Sequence, residues 1–228
     1  MTERGAVRGL VLADGERPTR RGLDEAWPGW DAAIDVVIAA DGGAALASEL
    51  GVHIDAWVGD GDSIDATLLD ELRRSGTPVT LAPADKDESD TELALRAAVD
   101  RGATDITILG GLGGLRLDHA LANVLLSTAA AFGDCAVRLI DDRTRVSLLR
   151  GPVRLQLDGR AGDTVSLLPL GARVDAVTTT GLRYALSNEA LEPGPARGLS
   201  NVRVAATAVV EARSGLLLIV ESPARLSP

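Results

Sequence analysis

Sulfur and aromatic rings are scarce in this chain. Its 228 residues include one Cys, one Met, three Trp, one Tyr and one Phe. A single cysteine excludes an internal disulfide framework and a thiolate metal cluster. Cys135 lies in an apolar, strand-like run and reads as a buried structural thiol. With aromatics at 2%, the core has to be built from Leu, Val, Ile and Ala. A basic surplus is also missing. The formal net charge of -10 argues against a nucleic-acid or membrane-surface binder. It leaves room for a nucleotide ligand, because a bound metal inverts the local sign. No run approaches the ~18 apolar residues that span a bilayer. "MTERGAVRGLVLADGERP" is broken too soon by charge to read as a signal peptide, so a cytoplasmic protein is expected. The P-loop pattern G-x-x-x-x-G-K-[ST] does not occur.

What is present falls into two halves. "VRGLVLA" (7–13), "DVVIAA" (35–40), "DAWVG" (55–59), "TPVTLA" (77–82), "DITILG" (105–110) and "CAVRLI" (135–140) read as strands. Several are apolar on consecutive residues, as in strands covered on both faces. "GAALASEL" (43–50), "DATLLDELRRSG" (65–76), "DTELALRAAVDRG" (90–102) and "DHALANVLLSTAAAFG" (118–133) have helical periodicity and stop at or near glycine. Such alternation predicts a mostly parallel α/β sheet with helices on both faces. Beyond residue 142 the segments are short, β-branched or alternating, and punctuated by Gly and Pro. They predict an all-β domain, a sandwich or open barrel, small enough to complete itself against a second subunit. The expected domains are 1–142 and 143–228.

Ligands of open α/β sheets bind beyond the carboxyl ends of the strands, and four consecutive strand ends carry chemistry. Asp41-Gly42-Gly43 follows "VVIAA", where glycines admit a ligand to the backbone. "GDGDSID" (59–65) follows "AWV". "ADKDESD" (84–90) opens a helix at Asp90. "GGLGGLRLDH" (110–119) follows "DITIL" and brings Gly113, Gly114, Arg116, Asp118 and His119 to the same rim. Asp60 and Asp62, two apart on a turn, aim at one ion, with the third ligand from Asp87 or Asp90. Oxygen ligands without His or Cys suit Mg²⁺. Lys86 and Arg116 would then face phosphates, which makes nucleotide phosphoryl chemistry the expected class. The plainer reading of Asp65 and Asp90 is helix capping, that of Asp87 a solvated loop charge, and that of His119 a helix-start residue.

The ordered set "AADGGA", "VGDGDSI", "KDESDTELAL", "GGLGGLRLDHALAN", "DTVSLLPLG", "TTTGLRYAL" and "GLSNV" resembles the thiamine pyrophosphokinase family over about residues 35–220. The resemblance implies an α/β catalytic domain, a C-terminal β-sandwich for thiamine binding and dimerisation, and a homodimer. It also implies transfer of a diphosphate from ATP to the hydroxyethyl group of thiamine. On that resemblance Asp60, Asp62 and Asp90 hold Mg²⁺. Asp41, Gly42, Gly43, Lys86, Asp87, Ser89, Gly113, Gly114, Arg116, Asp118 and His119 line the nucleotide site. Asp87 is the candidate acceptor of the alcohol proton, and Ser200 and Asn201 touch thiamine. Leu115 departs from the family's pattern by separating Gly113-Gly114 from Arg116. The alternatives are a pterin diphosphokinase on the same Mg-ATP site and a non-catalytic nucleotide or thiamine-phosphate sensor.

Overall fold

The structure is a computed structural model that describes residues 6–224. The chain forms two compact units, divided between Asp142 and Arg143.

The first unit is a six-stranded, wholly parallel sheet. Its strands are β1 (Val7–Leu12), β2 (Val36–Ala40), β3 (Ala56–Gly59), β4 (Val79–Leu81), β5 (Ala103–Leu109) and β6 (Ala136–Ile140). Their spatial order is β6-β5-β1-β2-β3-β4. The sheet is crossed by α1 (Arg20–Ala26), α2 (Ala44–Leu50), α3 (Ala66–Arg74), α4 (Asp90–Asp100) and α5 (Leu117–Leu126). All five residues of β2 are buried, as its continuous apolar run requires.

The two-residue strand period sorts the core. Leu10, Leu12, Val37 and Ala39 join the cluster that includes Leu23 of α1, Leu46 and Leu50 of α2, and Leu72 of α3. Gly9, of opposite parity on β1, instead turns toward Ala98 of α4. Ala94, Leu95 and Ala98 of α4 are fully buried. Helices therefore cover both faces.

Two elements differ from the sequence expectations. The pattern did not mark α1, because only Leu23 and Ala26 turn inward; its start is capped by Thr19, whose Oγ1 accepts from the Gly22 amide at 3.0 Å. The helix expected over 118–133 ends at Leu126, and a separate 3-10 turn forms at Ala130–Phe132.

The second unit is a β-sandwich. One sheet holds β7 (Arg145–Arg150), β9 (Thr164–Leu170), β12 (Asn201–Val202) and β14 (Leu216–Ser222), in the order β12-β9-β14-β7. The other holds β8 (Val153–Asp158), β10 (Val174–Thr180), β11 (Glu189–Leu191) and β13 (Thr207–Ala212), in the order β11-β10-β13-β8. Every neighbour pair is antiparallel. Leu149, Val165, Leu167, Leu217 and Ile219 from one sheet pack with Leu157, Val177, Ala208 and Val210 from the other.

An ion pair is sealed inside this unit. Arg203 and Glu221 are 1% and 2% exposed, and Arg203 Nη2 donates to Glu221 Oε1 at 2.6 Å. Arg145 donates to the same carboxylate through Nε at 2.7 Å and Nη2 at 2.8 Å. Removing both charges from water is tolerable only because the carboxylate is so fully hydrogen-bonded.

Candidate active site

The DGG segment is a 3-10 turn over Asp41–Gly43 at the carboxyl end of β2. Asp41 has φ of 42°, left-handed backbone that is costly for a residue with a Cβ. Two contacts hold it there: Trp57 Nε1 donates to the Asp41 carbonyl at 3.0 Å, and the Ile64 amide donates to Asp41 Oδ1 at 3.1 Å. Trp57 is fully buried, so its only indole N–H is committed to this bond. Gly59 keeps β3 close, because a Cβ there would meet the Asp41 Cβ at 2.8 Å. Asp41 itself is 3% exposed, and no donor reaches its Oδ2.

Asp60 and Asp62 follow β3 directly. The Asp62 amide donates to Asp60 Oδ1 at 3.2 Å, and Ser63 Oγ bonds Asp62 Oδ1 at 2.8 Å. Asp41, Asp60 and Asp62 each offer an oxygen within 4.8 Å of the others. The third converging carboxylate is Asp41, whereas the sequence offered Asp87 or Asp90 as the third ligand and the resemblance implied Asp90. Two successive strand ends meet across the β2–β3 pair, and the β4–α4 loop comes in beside them. Asp90 stands with Lys86: Nζ lies 3.1 Å from Asp90 Oδ1 and 3.0 Å from Asp60 Oδ2. Only the Asp60 contact has hydrogen-bond geometry.

The charges shift one another. Burial first, then the charge of Asp90 and a hydrogen bond to Asp60, push Asp41 up to about 6. The hydrogen bond from Lys86, followed by that from the Asp62 amide, lowers Asp60. Burial pulls Lys86 down, but its hydrogen bond to Asp60 and the nearby charges of Asp60 and Asp90 outweigh that and leave it raised. An all-oxygen set containing a buried oxygen that no donor satisfies fits a hard divalent cation such as Mg²⁺.

A cleft of about 580 Å³ opens beside this cluster, in the first unit. Of the expected residues, Asp41, Lys86, Ser89, Asp90, Gly113, Gly114, Arg116 and His119 line it. Ser89 also caps α4, accepting from the Glu92 amide at 3.1 Å. The Leu115 insertion is accommodated by left-handed backbone at Gly113 and Gly114 (φ 68° and 84°), and leaves Leu115 wholly exposed. Arg116 forms a two-pronged pair with Asp118 at 2.9 and 2.6 Å, which holds the Asp118 carboxyl at about 2.

Other expected residues stand apart from the cleft. Asp87 is exposed, outside the lining, and not among the three converging carboxylates. Gly42 and Gly43 are buried, and the space beside them is taken by the chain itself: a Cβ would meet Asp14 Oδ2 at 2.4 Å and the Leu12 carbonyl at 2.2 Å respectively. Their smallness serves packing against β1. Asp65 is a helix cap, accepting from the Thr67 and Leu68 amides at 2.8 and 3.2 Å.

Sequence reasoning passed over the β1 end, where Asp14 and Gly15 line the cleft, and over Asn123, which donates to the Gly111 carbonyl at 3.0 Å. The signal for Asp14-Gly15 was available: "ADG" after an apolar run repeats the form of "ADGG" after β2.

In the second unit Ser200 has left-handed backbone (φ 56°), and its amide donates to Ser166 Oγ at 3.0 Å. The Asn201 side chain is buried and consumed internally. Its Oδ1 accepts from the Tyr184 amide at 3.0 Å and its Nδ2 donates to the Tyr184 carbonyl at 2.8 Å. Its action is therefore to brace the segment carrying Tyr184, which is 57% exposed.

Converging carboxylates able to hold a cation, with a lysine and a glycine-rich, arginine-bearing loop on the carboxyl rim of a parallel sheet, fit an enzyme of nucleotide phosphoryl transfer. The comparisons make this specific. The model of the thiamin pyrophosphokinase catalytic domain matches residues 30–139, and that of the family's vitamin B1 binding domain matches residues 152–217. The thiamine pyrophosphokinase of Bacillus subtilis is 26% identical, over 81% of this chain and 86% of that protein. Thiamine pyrophosphokinase 1 of Arabidopsis thaliana is 30% identical over 72% of this chain, which spans 63% of it. A solved thiamin pyrophosphokinase family protein from Enterococcus faecalis is 26% identical with a TM-score of 0.79, covering 96% of this chain and all of that one. The chain belongs to the thiamin pyrophosphokinase family.

Proposed function

We propose that this protein transfers a diphosphate from ATP to thiamine, with Asp41, Asp60 and Asp62 holding Mg²⁺. The observation that carries the site assignment is the convergence of those three carboxylates around a buried oxygen without a donor. Bound there, Mg²⁺ supplies positive charge to the phosphate oxygens as the transferring group moves. The thiamine hydroxyl oxygen attacks the β-phosphorus, the bond from that phosphorus to the α-phosphate's bridging oxygen breaks, and AMP departs. The chain's part is mostly positioning and charge. Lys86 and Arg116 turn from their carboxylate partners to the phosphates, and Ser89 and the start of α4 face the same cleft. Asp87, solvated and outside the cleft, is not assigned as a base; the alcohol proton leaves late in a loose transfer and passes to water or a phosphate oxygen.

In the second unit, Ser200 and the exposed Tyr184, braced by Asn201, are the proposed thiamine contacts. The match of the vitamin B1 binding domain over this stretch supports that reading.

A homodimer is proposed as well. No residue of α5 is buried, and Leu117, Leu121 and Leu125, one turn apart, are 71%, 53% and 53% exposed. Such a stripe is what a second copy would cover.

A product assay with ATP, Mg²⁺ and thiamine tests the reaction. AMP and thiamine diphosphate appearing in step establish it. ADP with thiamine monophosphate would place attack at the γ-phosphorus and overturn it, and turnover only with a hydroxymethyl-pterin would reassign the acceptor.

A further inference from the structure

Lys86 is the chain's single lysine; every other basic residue among the 23 Lys and Arg is arginine. That exception falls in the middle of the acidic cluster. Its ammonium touches Asp60 at 3.0 Å and Asp90 at 3.1 Å, with its side chain 11% exposed. Asp60 in turn converges with Asp41 and Asp62, so the ammonium sits on the edge of a three-carboxylate group.

A lysine in this place differs from an arginine physically. Arginine grips carboxylates through a planar, two-pronged fork, as Arg116 does with Asp118 and Arg145 with Glu221. The ammonium is a compact point charge on a flexible four-carbon stem. It neutralises an acidic cluster without fixing one geometry, and it can be carried elsewhere by rotation of its own stem. The structure supplies a place to go, because Lys86 lines the same cleft as Arg116 and the glycine loop.

From this geometry we infer that Lys86 is an internal counter-ion that keeps a divalent metal out of the nucleotide-free site and yields to it when a triphosphate arrives. The inference rests on the Mg²⁺–nucleotide reading above. Without nucleotide, a metal approaching Asp60 meets a cation already bonded to Asp60 Oδ2. A triphosphate gives the ammonium a stronger partner, frees Asp60 and Asp90, and contributes its own oxygens to the metal. Metal and nucleotide then bind with positive coupling, each raising the other's affinity by the same factor. Lys86 acts here on the carboxylates first and on the phosphates second.

The test uses the full chain, Mn²⁺ as a hard-cation probe followed by electron paramagnetic resonance, and α,β-methylene-ATP as the nucleotide. It is run near pH 8. Removing a unit charge in contact with the carboxylates raises Mn²⁺ affinity of the nucleotide-free Lys86→Met protein by about tenfold or more. Lys86→Arg keeps the charge and stays close to the parent, which separates a charge effect from a packing one. The nucleotide strengthens Mn²⁺ binding in the parent and does so much less in Lys86→Met. A chain labelled with ¹³C-lysine has one Cε resonance, and it moves when nucleotide and metal are added together.

Lys86→Met binding Mn²⁺ no more tightly than the parent would overturn the inference and leave the metal site standing. Mn²⁺ that fails to bind any of these proteins, with or without the nucleotide, would overturn the metal reading and the inference with it.

Discussion

Asp41 gives the metal-free protein an unusual dependence of stability on pH. Its folded-state value is raised from 3.8 to about 6. A group raised in the folded state binds its proton more tightly there than in the unfolded chain. Protonation therefore favours the fold, and the advantage is lost as pH rises from the unfolded value through the folded one. Between these two values stability falls by about 2 kcal/mol from about pH 4.5 to about pH 7. Asp60, Asp65 and Asp118 are lowered, so they act in the opposite direction and in a more acidic window; Asp118, at about 2, loses its contribution as pH drops below 3.8. The two effects thus separate along the pH axis. Urea unfolding in the presence of a chelator measures the drop. Asp41→Asn, an isostere that cannot ionise, removes it and is more stable than the parent at neutral pH. An unchanged slope in the variant would refute the reasoning, and would mean that Asp41 is ionised in the fold at no cost. The buried orphan oxygen would then need another explanation.

Three further outcomes follow from the packing. Glu221→Gln leaves Arg203 charged and sealed in the sandwich with a weaker partner, so thermal or urea unfolding should show a loss of about 3–5 kcal/mol; Arg154→Gln, at an exposed pair, should change stability by less than about 1 kcal/mol. Asp65→Ala removes only the α3 cap, costing about 1 kcal/mol in stability while turnover stays at the parent level. Leu121→Glu places a charge in the middle of the α5 stripe, and light scattering on the eluting protein should show monomer where the parent shows dimer; two monomers would retire the stripe as an interface.

The local order of the chain was legible because it rests on short-range physics. Continuous apolar runs such as "VVIAA" marked the buried parallel strands, and alternating segments closed by glycine or proline marked the sandwich. The repeated placement of acidic and glycine-rich loops after strands pointed to one rim before any coordinates did. A resemblance then supplied the acceptor, which no charge pattern names. Where local signal was thin the reading failed: α1 turns only two apolar residues inward, and β11 has three residues.

What tertiary structure alone decided is which of several similar carboxylates come together and what each one contacts. Asp41, Asp60, Asp62, Asp65, Asp87 and Asp90 are chemically alike in sequence. The register of β2 on β3, the Trp57 bond to the Asp41 carbonyl and the bare Gly59 bring Asp41 to Asp60 and Asp62. The start of α3 claims Asp65, solvent keeps Asp87, and Lys86 holds Asp90. The same holds for Asn201, whose amide is spent on Tyr184 seventeen residues away. A carboxylate's role is set by what surrounds it within a few ångströms, and those neighbours come from strand ends distant along the chain.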